Sequence, residues 1–159
     1  MLKNLFTPCL ILDRDKLEAN ISKIKSIVSK QKIDFRPHLK TAKCLEITKI
    51  LVKEFGPRAM VSTIEELEQL KSSGINDFLY SVAIVPNKLD RIAKNLSNNC
   101  KITVAVDNIS TAQELVSFYK STGNRITAVI ELDLDGHRSG VRPYATKQLI
   151  KIGKCLDEF

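Results

Sequence analysis

At 159 residues and 43% hydrophobic, the chain is long enough for one domain with a real core. Its net charge of +7 invites a nucleic-acid or membrane-surface reading, but the lysines are spread along every predicted helix and aromatic residues make up only 6%, which leaves neither a basic stripe nor a stacking platform. No apolar run reaches the roughly twenty residues of a membrane-spanning helix, and Met1-Leu2-Lys3-Asn4-Leu5-Phe6-Thr7-Pro8 lacks the apolar core of a signal peptide, so the expectation is a cytoplasmic protein with no nucleic-acid or membrane partner.

Cys9-Leu10-Ile11-Leu12 reads as a strand, after which Leu17, Ile21, Ile24 and Val28 form the stripe of an amphipathic helix. Ile33 to Lys40 reads as the next strand, followed by a helix with Cys44, Ile47 and Leu51 facing inward. Ala59-Met60-Val61 is a short strand; Thr63 and Glu66 then form a capping box that starts a helix carrying Leu67 and Leu70 and stopped by Gly74. Phe78 to Val82 is a strand, and Pro86 opens a helix with Leu89, Ile92, Ala93 and Leu96 as its stripe. Ile102 to Val106 precedes a helix with Ala112, Leu115, Val116 and Tyr119 inward, ended by Gly123. Ile126 to Leu132 is the last strand, and a polar loop through Gly136, Gly140 and Pro143 leads to a helix with Leu149, Ile150 and Leu156.

Strands alternating with helices in this way predict βα units around a parallel sheet. Lys40, Ser62, Ser81, Asp107 and Asp133 each fall at or just after the C-terminal end of a strand, the rim that carries chemistry in such folds. Helix capping accounts for Ser62 and Asp107 at least as well as function does. It explains nothing about Lys40, whose charge opposes the positive end of a helix dipole. The four cysteines, Cys9, Cys44, Cys100 and Cys155, form no C-x-x-C pair and signal neither zinc nor a disulfide framework.

In Arg36-Pro37-His38-Leu39-Lys40-Thr41-Ala42-Lys43, a strand's period of two places Arg36, His38 and Lys40 on one face. Pro37 cannot donate to a ladder and marks an irregularity there. A lysine desolvated beside other cations loses its proton more readily and can attack an aldehyde, of which pyridoxal phosphate is the commonest in biology. The competing account is a lysine snorkelling from a strand end. In Glu131-Leu132-Asp133-Leu134-Asp135-Gly136-His137-Arg138-Ser139-Gly140-Val141 the alternating carboxylates with His137 make a divalent metal conceivable, but no metal ligand is assigned; the carboxylates serve equally to neutralise Arg36 or Lys40. Arg138, flanked by glycines, suits presentation to an anion.

Thr7-Pro8-Cys9-Leu10-Ile11-Leu12-Asp13, the Arg36 to Lys43 run, Val61-Ser62-Thr63-Ile64-Glu65-Glu66 and Asp135-Gly136-His137-Arg138-Ser139-Gly140-Val141 together resemble the N-terminal part of the D-threonine aldolase and D-serine dehydratase group, fold-type III pyridoxal-phosphate enzymes related to alanine racemase. The resemblance implies a parallel (β/α) TIM-type barrel, here with about five of its eight strands. It implies one partial cofactor-binding domain over residues 1–159, with strand 9–12 pairing with a C-terminal β-domain that is absent here. Lys40 would carry the cofactor as a Schiff base, His38 and Arg138 would help bind it, and His137 and Arg138 would meet a D-amino acid substrate. Ala42 departs from the histidine that many relatives have there. Retro-aldol cleavage of a 3-hydroxy amino acid is the first expectation, D-serine dehydratase or racemase activity the alternative, and a catalytically idle cofactor-binding or partner-binding fragment the alternative of another class. A divalent metal is expected only in a full-length enzyme. The partner is a second copy or a missing C-terminal half, since relatives are considerably longer.

Overall fold

Four short runs of β-branched and apolar residues form the framework of a computed structural model that describes residues 4–158; Met1 to Lys3, which belong to the N-terminal segment read above, and Phe159 lie outside the described residues. Strands β1 (Arg58–Val61), β2 (Asp77–Ala83), β3 (Lys101–Val106) and β4 (Thr127–Ile130) lie side by side in chain order, and every pair is parallel. Helices α1 (Arg14–Gln31), α2 (Leu45–Phe55), α3 (Ile64–Lys71), α4 (Leu89–Asn95), α5 (Ile109–Thr122) and α6 (Thr146–Leu156) complete the chain, with a 3₁₀ turn at Pro86–Lys88 leading into α4. Parallel neighbours in sequential order, each joined by a helical crossover, are the arc of a (β/α) barrel, so the expected α/β class and incomplete barrel are both present.

The chain divides into two units, one ending at Phe35 and one running from Arg36 onward. In the first, Asp13 caps α1 by accepting the Lys16 N–H, and Lys32 ends it in the left-handed region at φ 52°. The expected stripe lies on this helix, yet only Ile21 is buried, with Ile24 39% exposed.

In the second unit the registers line up rows of side chains: Ala59 with Phe78 and Ile102, and Val61 with Tyr80 and Val104. All six are at most 1% exposed and join one core with Leu67 of α3, Ile92 of α4, Leu115 of α5 and Ile152 of α6. Burying each such aliphatic or aromatic side chain contributes about 1.5–3 kcal/mol. Tyr80 is buried whole, and its phenol oxygen accepts a hydrogen bond from Lys88 Nζ at 2.8 Å.

Several expectations are corrected. Among the described residues, 9–12 pair with no strand, and Leu10, Ile11 and Leu12 stand 104%, 62% and 56% exposed. The strand expected over Ile33–Lys40 contracts to a single bridge between His38 and Met60, because Pro37 has no N–H to give and the chain turns at Leu39, whose carbonyl accepts the Lys43 N–H. The sheet therefore has four strands rather than five. On α2 the buried residue is Thr48, whose hydroxyl donates to the Cys44 carbonyl at 2.9 Å and so enters the core satisfied. On α6, Ile152 is buried and Ile150 is 52% exposed, since the inward stripe runs Leu149, Ile152, Leu156. Asn108, not Asp107, caps α5 by accepting the Thr111 N–H at 2.9 Å.

The capping box forms as expected: Thr63 Oγ1 accepts the Glu66 N–H at 3.1 Å, and Glu66 Oε2 accepts the N–H groups of Thr63 and Ser62 at 3.3 and 2.8 Å. Thr63→Ala should lower stability by about 1 kcal/mol, read as a shifted urea midpoint at unchanged slope.

Candidate active site

Arg36 to Lys40 reaches the edge of the sheet by two main-chain hydrogen bonds: the Met60 N–H donates to the Pro37 carbonyl at 2.8 Å, and the Leu39 N–H donates to the Met60 carbonyl at 3.1 Å. Pro37 and Leu39 face inward and are buried, as the alternation predicts. The other face does not form one cationic cluster. Arg36 turns to the N-terminal end of β2, where its guanidinium holds both Asp77 carboxylate oxygens at 2.9 Å and the Asp77 carbonyl at 2.8 Å. This bidentate pair anchors the segment and leaves the chemistry to the other end. Lys40, at that end, is exposed rather than desolvated.

His38 sits between these ends. Its Nε2 lies 3.2 Å from Ser81 Oγ and 3.3 Å from Ser62 Oγ, while its Nδ1 accepts the Lys40 backbone N–H at 3.3 Å. Ser81 Oγ in turn donates to the Val61 carbonyl at 3.0 Å. Burial, and then the nearby Lys40 charge, hold His38 below its usual 6.5 against the opposing pull of Glu66.

A cleft of about 410 Å³ opens at this rim, lined by His38, Lys40 and Ser81 and, from the loop after β4, by Glu131, Asp135 and Arg138. A larger groove of about 540 Å³ between α5 and α6 holds Lys120, Lys151 and Lys154 without a histidine or arginine beside them. The rim cleft is the one that gathers amine, imidazole, guanidinium and carboxylate.

The loop that supplies Arg138 is held by its own bonds. Leu132 bridges to Val141 in parallel, flanked by Asp133 N–H to Val141 carbonyl at 3.0 Å and Val141 N–H to Glu131 carbonyl at 2.8 Å. Asp133, 5% exposed, accepts the Gly136 N–H at 2.9 Å and pairs with Arg142 at 3.5 Å, and Arg142 also donates to the Gly136 carbonyl at 2.5 Å. Burial pushes the Asp133 carboxyl up, but hydrogen bonds from the Gly136 and Arg138 backbone N–H groups and the Arg142 charge outweigh it and hold the group low. Gly140 adopts φ 115°, and a Cβ there would stand 2.6 Å from the Asp133 nitrogen. Glu131 Oε1 accepts from Ser139 Oγ at 3.0 Å, whereas its Oε2 is buried and unpartnered among the described residues.

Of the residues singled out in the sequence, Lys40, His38 and Arg138 share the cleft; His137 is exposed and is not among its lining residues. Asp133 and Asp135, considered for a metal, bond within the loop, and among the described residues no three His, Cys, Asp or Glu side chains converge as a metal group. Sequence reasoning missed the convergence of Ser62 and Ser81 on His38, although their positions at strand ends were the available signal. It missed Arg142 altogether, which no pattern marks.

Residues 12–158 match the family model described as alanine racemase, N-terminal domain. The chain belongs to that family. D-threo-3-hydroxyaspartate dehydratase of Delftia sp. (strain HT23) is 32% identical over 99% of this chain and 41% of its own length, and its solved structure superposes with a TM-score of 0.93 over 98% of this chain and 41% of that one. 3-Hydroxy-D-aspartate aldolase of Paracoccus denitrificans is 30% identical over 94% of this chain and 38% of its own length. D-threonine aldolase of Arthrobacter sp. is 30% identical over 85% and 36%. The chain thus spans about two fifths of the length of these curated relatives.

Two outcomes follow from this geometry. Gly140→Ala should cost about 1–3 kcal/mol through strain at a positive φ and the clash with Asp133, with chemical-shift changes centred on residues 131–142. For His38, the groups facing it or its cleft are Lys40 and Glu66 with Glu131, Asp133, Asp135 and Arg138 of the loop. The folded state binds the His38 proton less readily than the unfolded chain, so this contribution is fully present above about pH 6.5 and declines as pH falls through the lowered folded value. Urea midpoints measured from pH 7.5 down to 5 should show that loss, and His38→Gln should flatten it.

Proposed function

We propose that this chain forms the lysine-bearing part of a pyridoxal-phosphate enzyme that cleaves the Cα–Cβ bond of a 3-hydroxy D-amino acid, with Lys40 as the Schiff-base residue. The observation that carries the reading is the shared cleft of Lys40, His38 and Arg138. That donor set fits the reactive end of the cofactor: a primary amine for an aldehyde, and a guanidinium for a ring oxygen or a carboxylate. When bound, pyridoxal phosphate supplies an electron-accepting ring that stabilises negative charge at Cα.

The chain's own residues do the rest. Lys40 offers an exposed amine at the end of a docked segment. Arg138, on a loop braced by Asp133, Arg142 and Gly140, pairs with an anionic group. Glu131, with one carboxylate oxygen unpartnered, accepts a hydrogen bond from a cationic or protonated group entering the cleft. His38 keeps its imidazole against Ser62 and Ser81. The bare side chains of Leu10, Ile11 and Leu12 support reading residues 9–12 as a strand that pairs with a C-terminal β-domain of the kind the relatives' extra length would accommodate. A second copy or that further portion supplies the remaining walls of the site, including any metal ligands.

A dehydratase reading is the second, favoured by the Delftia relative at 32% identity. The two differ in product: retro-aldol cleavage releases glycine and an aldehyde, while loss of the 3-hydroxyl releases ammonia and an oxo acid.

The first test is the anchor. The chain is incubated with pyridoxal phosphate, reduced with borohydride and mapped by peptide mass. Label should concentrate on the Lys40 peptide, and Lys40→Ala should lower total label about tenfold or more. Equal labelling of Lys40→Ala and parent would remove the assignment, and an unlabelled parent would favour the partner-binding alternative.

A further inference from the structure

We infer that His38 is a positioning residue for Lys40: a neutral imidazole carrying its proton on Nε2, it ties the Lys40 backbone N–H to the ends of β1 and β2 through Ser62 and Ser81. The inference rests on the assignment of Lys40 to the cofactor, and its own content is where the lysine leaves the main chain.

The hydrogen positions are fixed from both sides. A backbone N–H can only donate, so His38 Nδ1, 3.3 Å from the Lys40 nitrogen, must present a lone pair. Ser81 Oγ already spends its proton on the Val61 carbonyl at 3.0 Å, so it faces His38 Nε2 with a lone pair, and Nε2 must carry the hydrogen. Two independent contacts therefore demand the same tautomer. Ser62 Oγ at 3.3 Å is placed to share that N–H, and Ser62 is itself held by Glu66 Oε2 on its backbone N–H. An imidazolium would turn Nδ1 into a second donor pointed at the Lys40 N–H, so protonation opens the clamp.

The clamp acts at a definite place. Leu39 N–H to Met60 carbonyl is the last sheet bond of the segment, and the chain then turns, with Lys43 at φ 43°. Lys40 is the first residue past that bond. The sheet does not hold its amide; the imidazole does.

The test uses the whole chain and two side chains that each keep half of the imidazole. Asparagine at 38 places an oxygen acceptor where Nδ1 stands, while glutamine reaches toward the serines and leaves the Lys40 N–H without that acceptor. With only two histidines in the chain, a His137→Asn background isolates the His38 imidazole in nitrogen NMR. We expect the Nε2–H tautomer at pH 8, Lys40 amide hydrogen exchange about tenfold faster in His38→Gln, exchange within about threefold of the parent in His38→Asn, and the same ranking for the rate of borohydride-trapped pyridoxal phosphate at Lys40. Ser81→Ala, which leaves both His38 and Lys40 in place, should speed Lys40 exchange by a smaller factor of about two to five and keeps the test open if a position-38 variant fails to fold. An Nδ1–H tautomer, or Lys40 exchange unchanged in both His38→Gln and Ser81→Ala, would overturn the clamp. Pyridoxal phosphate fixed on another lysine, with tautomer and exchange as expected, would sink the cofactor assignment and leave the clamp standing.

Discussion

Two main-chain hydrogen bonds on either side of His38 are the constraint on which the site depends. They join the Pro37 and Leu39 backbone to Met60 and so attach to β1 a segment too irregular to form a strand. With both of those main-chain contacts made, Pro37 and Leu39 are committed to the interior and the side chains between them to the open face. Arg36 then locks the N-terminal end through Asp77, and the C-terminal end is left to deliver Lys40. Removing the attachment would not merely loosen a surface strand; it would release Leu39 from the core, and with it the direction in which Lys40 points.

A second, independent framework places Arg138. The loop after β4 has no regular structure apart from the Leu132–Val141 bridge, yet its polar groups largely satisfy one another: Asp133 takes the Gly136 N–H, Arg142 ties Asp133 to the Gly136 carbonyl, and Gly140 permits a backbone approach that no side chain would allow. A buried carboxylate is costly unless paired and hydrogen-bonded, and here it is both. The exposed arginine is therefore presented by a braced loop rather than a loose one. Glu131 alone among these groups keeps an unmet oxygen, its buried Oε2.

What the sequence revealed and what it hid have the same physical cause. Periodicity and capping signals are local, so β1 to β4, the Thr63–Glu66 box, the Gly123 stop and the inward stripes of α3, α4 and α5 could be read directly. Strandedness is not local. Cys9 to Leu12 and Ile33 to Lys40 have the composition of strands, but a strand exists only where a neighbour completes its hydrogen bonds, and Pro37 denies half of them. For the site, alternation correctly put His38 and Lys40 together and wrongly added Arg36, because the pattern does not reveal which partner sits at each end. Asp77, forty-one positions away, decided that. The convergence of Ser62 and Ser81 on His38 is likewise a fact of register between β1 and β2, invisible until Val61 is set beside Tyr80.

The bonds that place Lys40 all come from residues between Arg36 and Ser81, and those that brace Arg138 come from residues between Val106 and Arg142. Neither set requires a closed barrel. Closure would pair the free edge of β4 and cover apolar surface such as that of Val129, 44% exposed. It would therefore add stability and the far wall of the cleft, but not the position of the lysine. The positions of Lys40 and Arg138 thus depend on hydrogen bonds made within this chain.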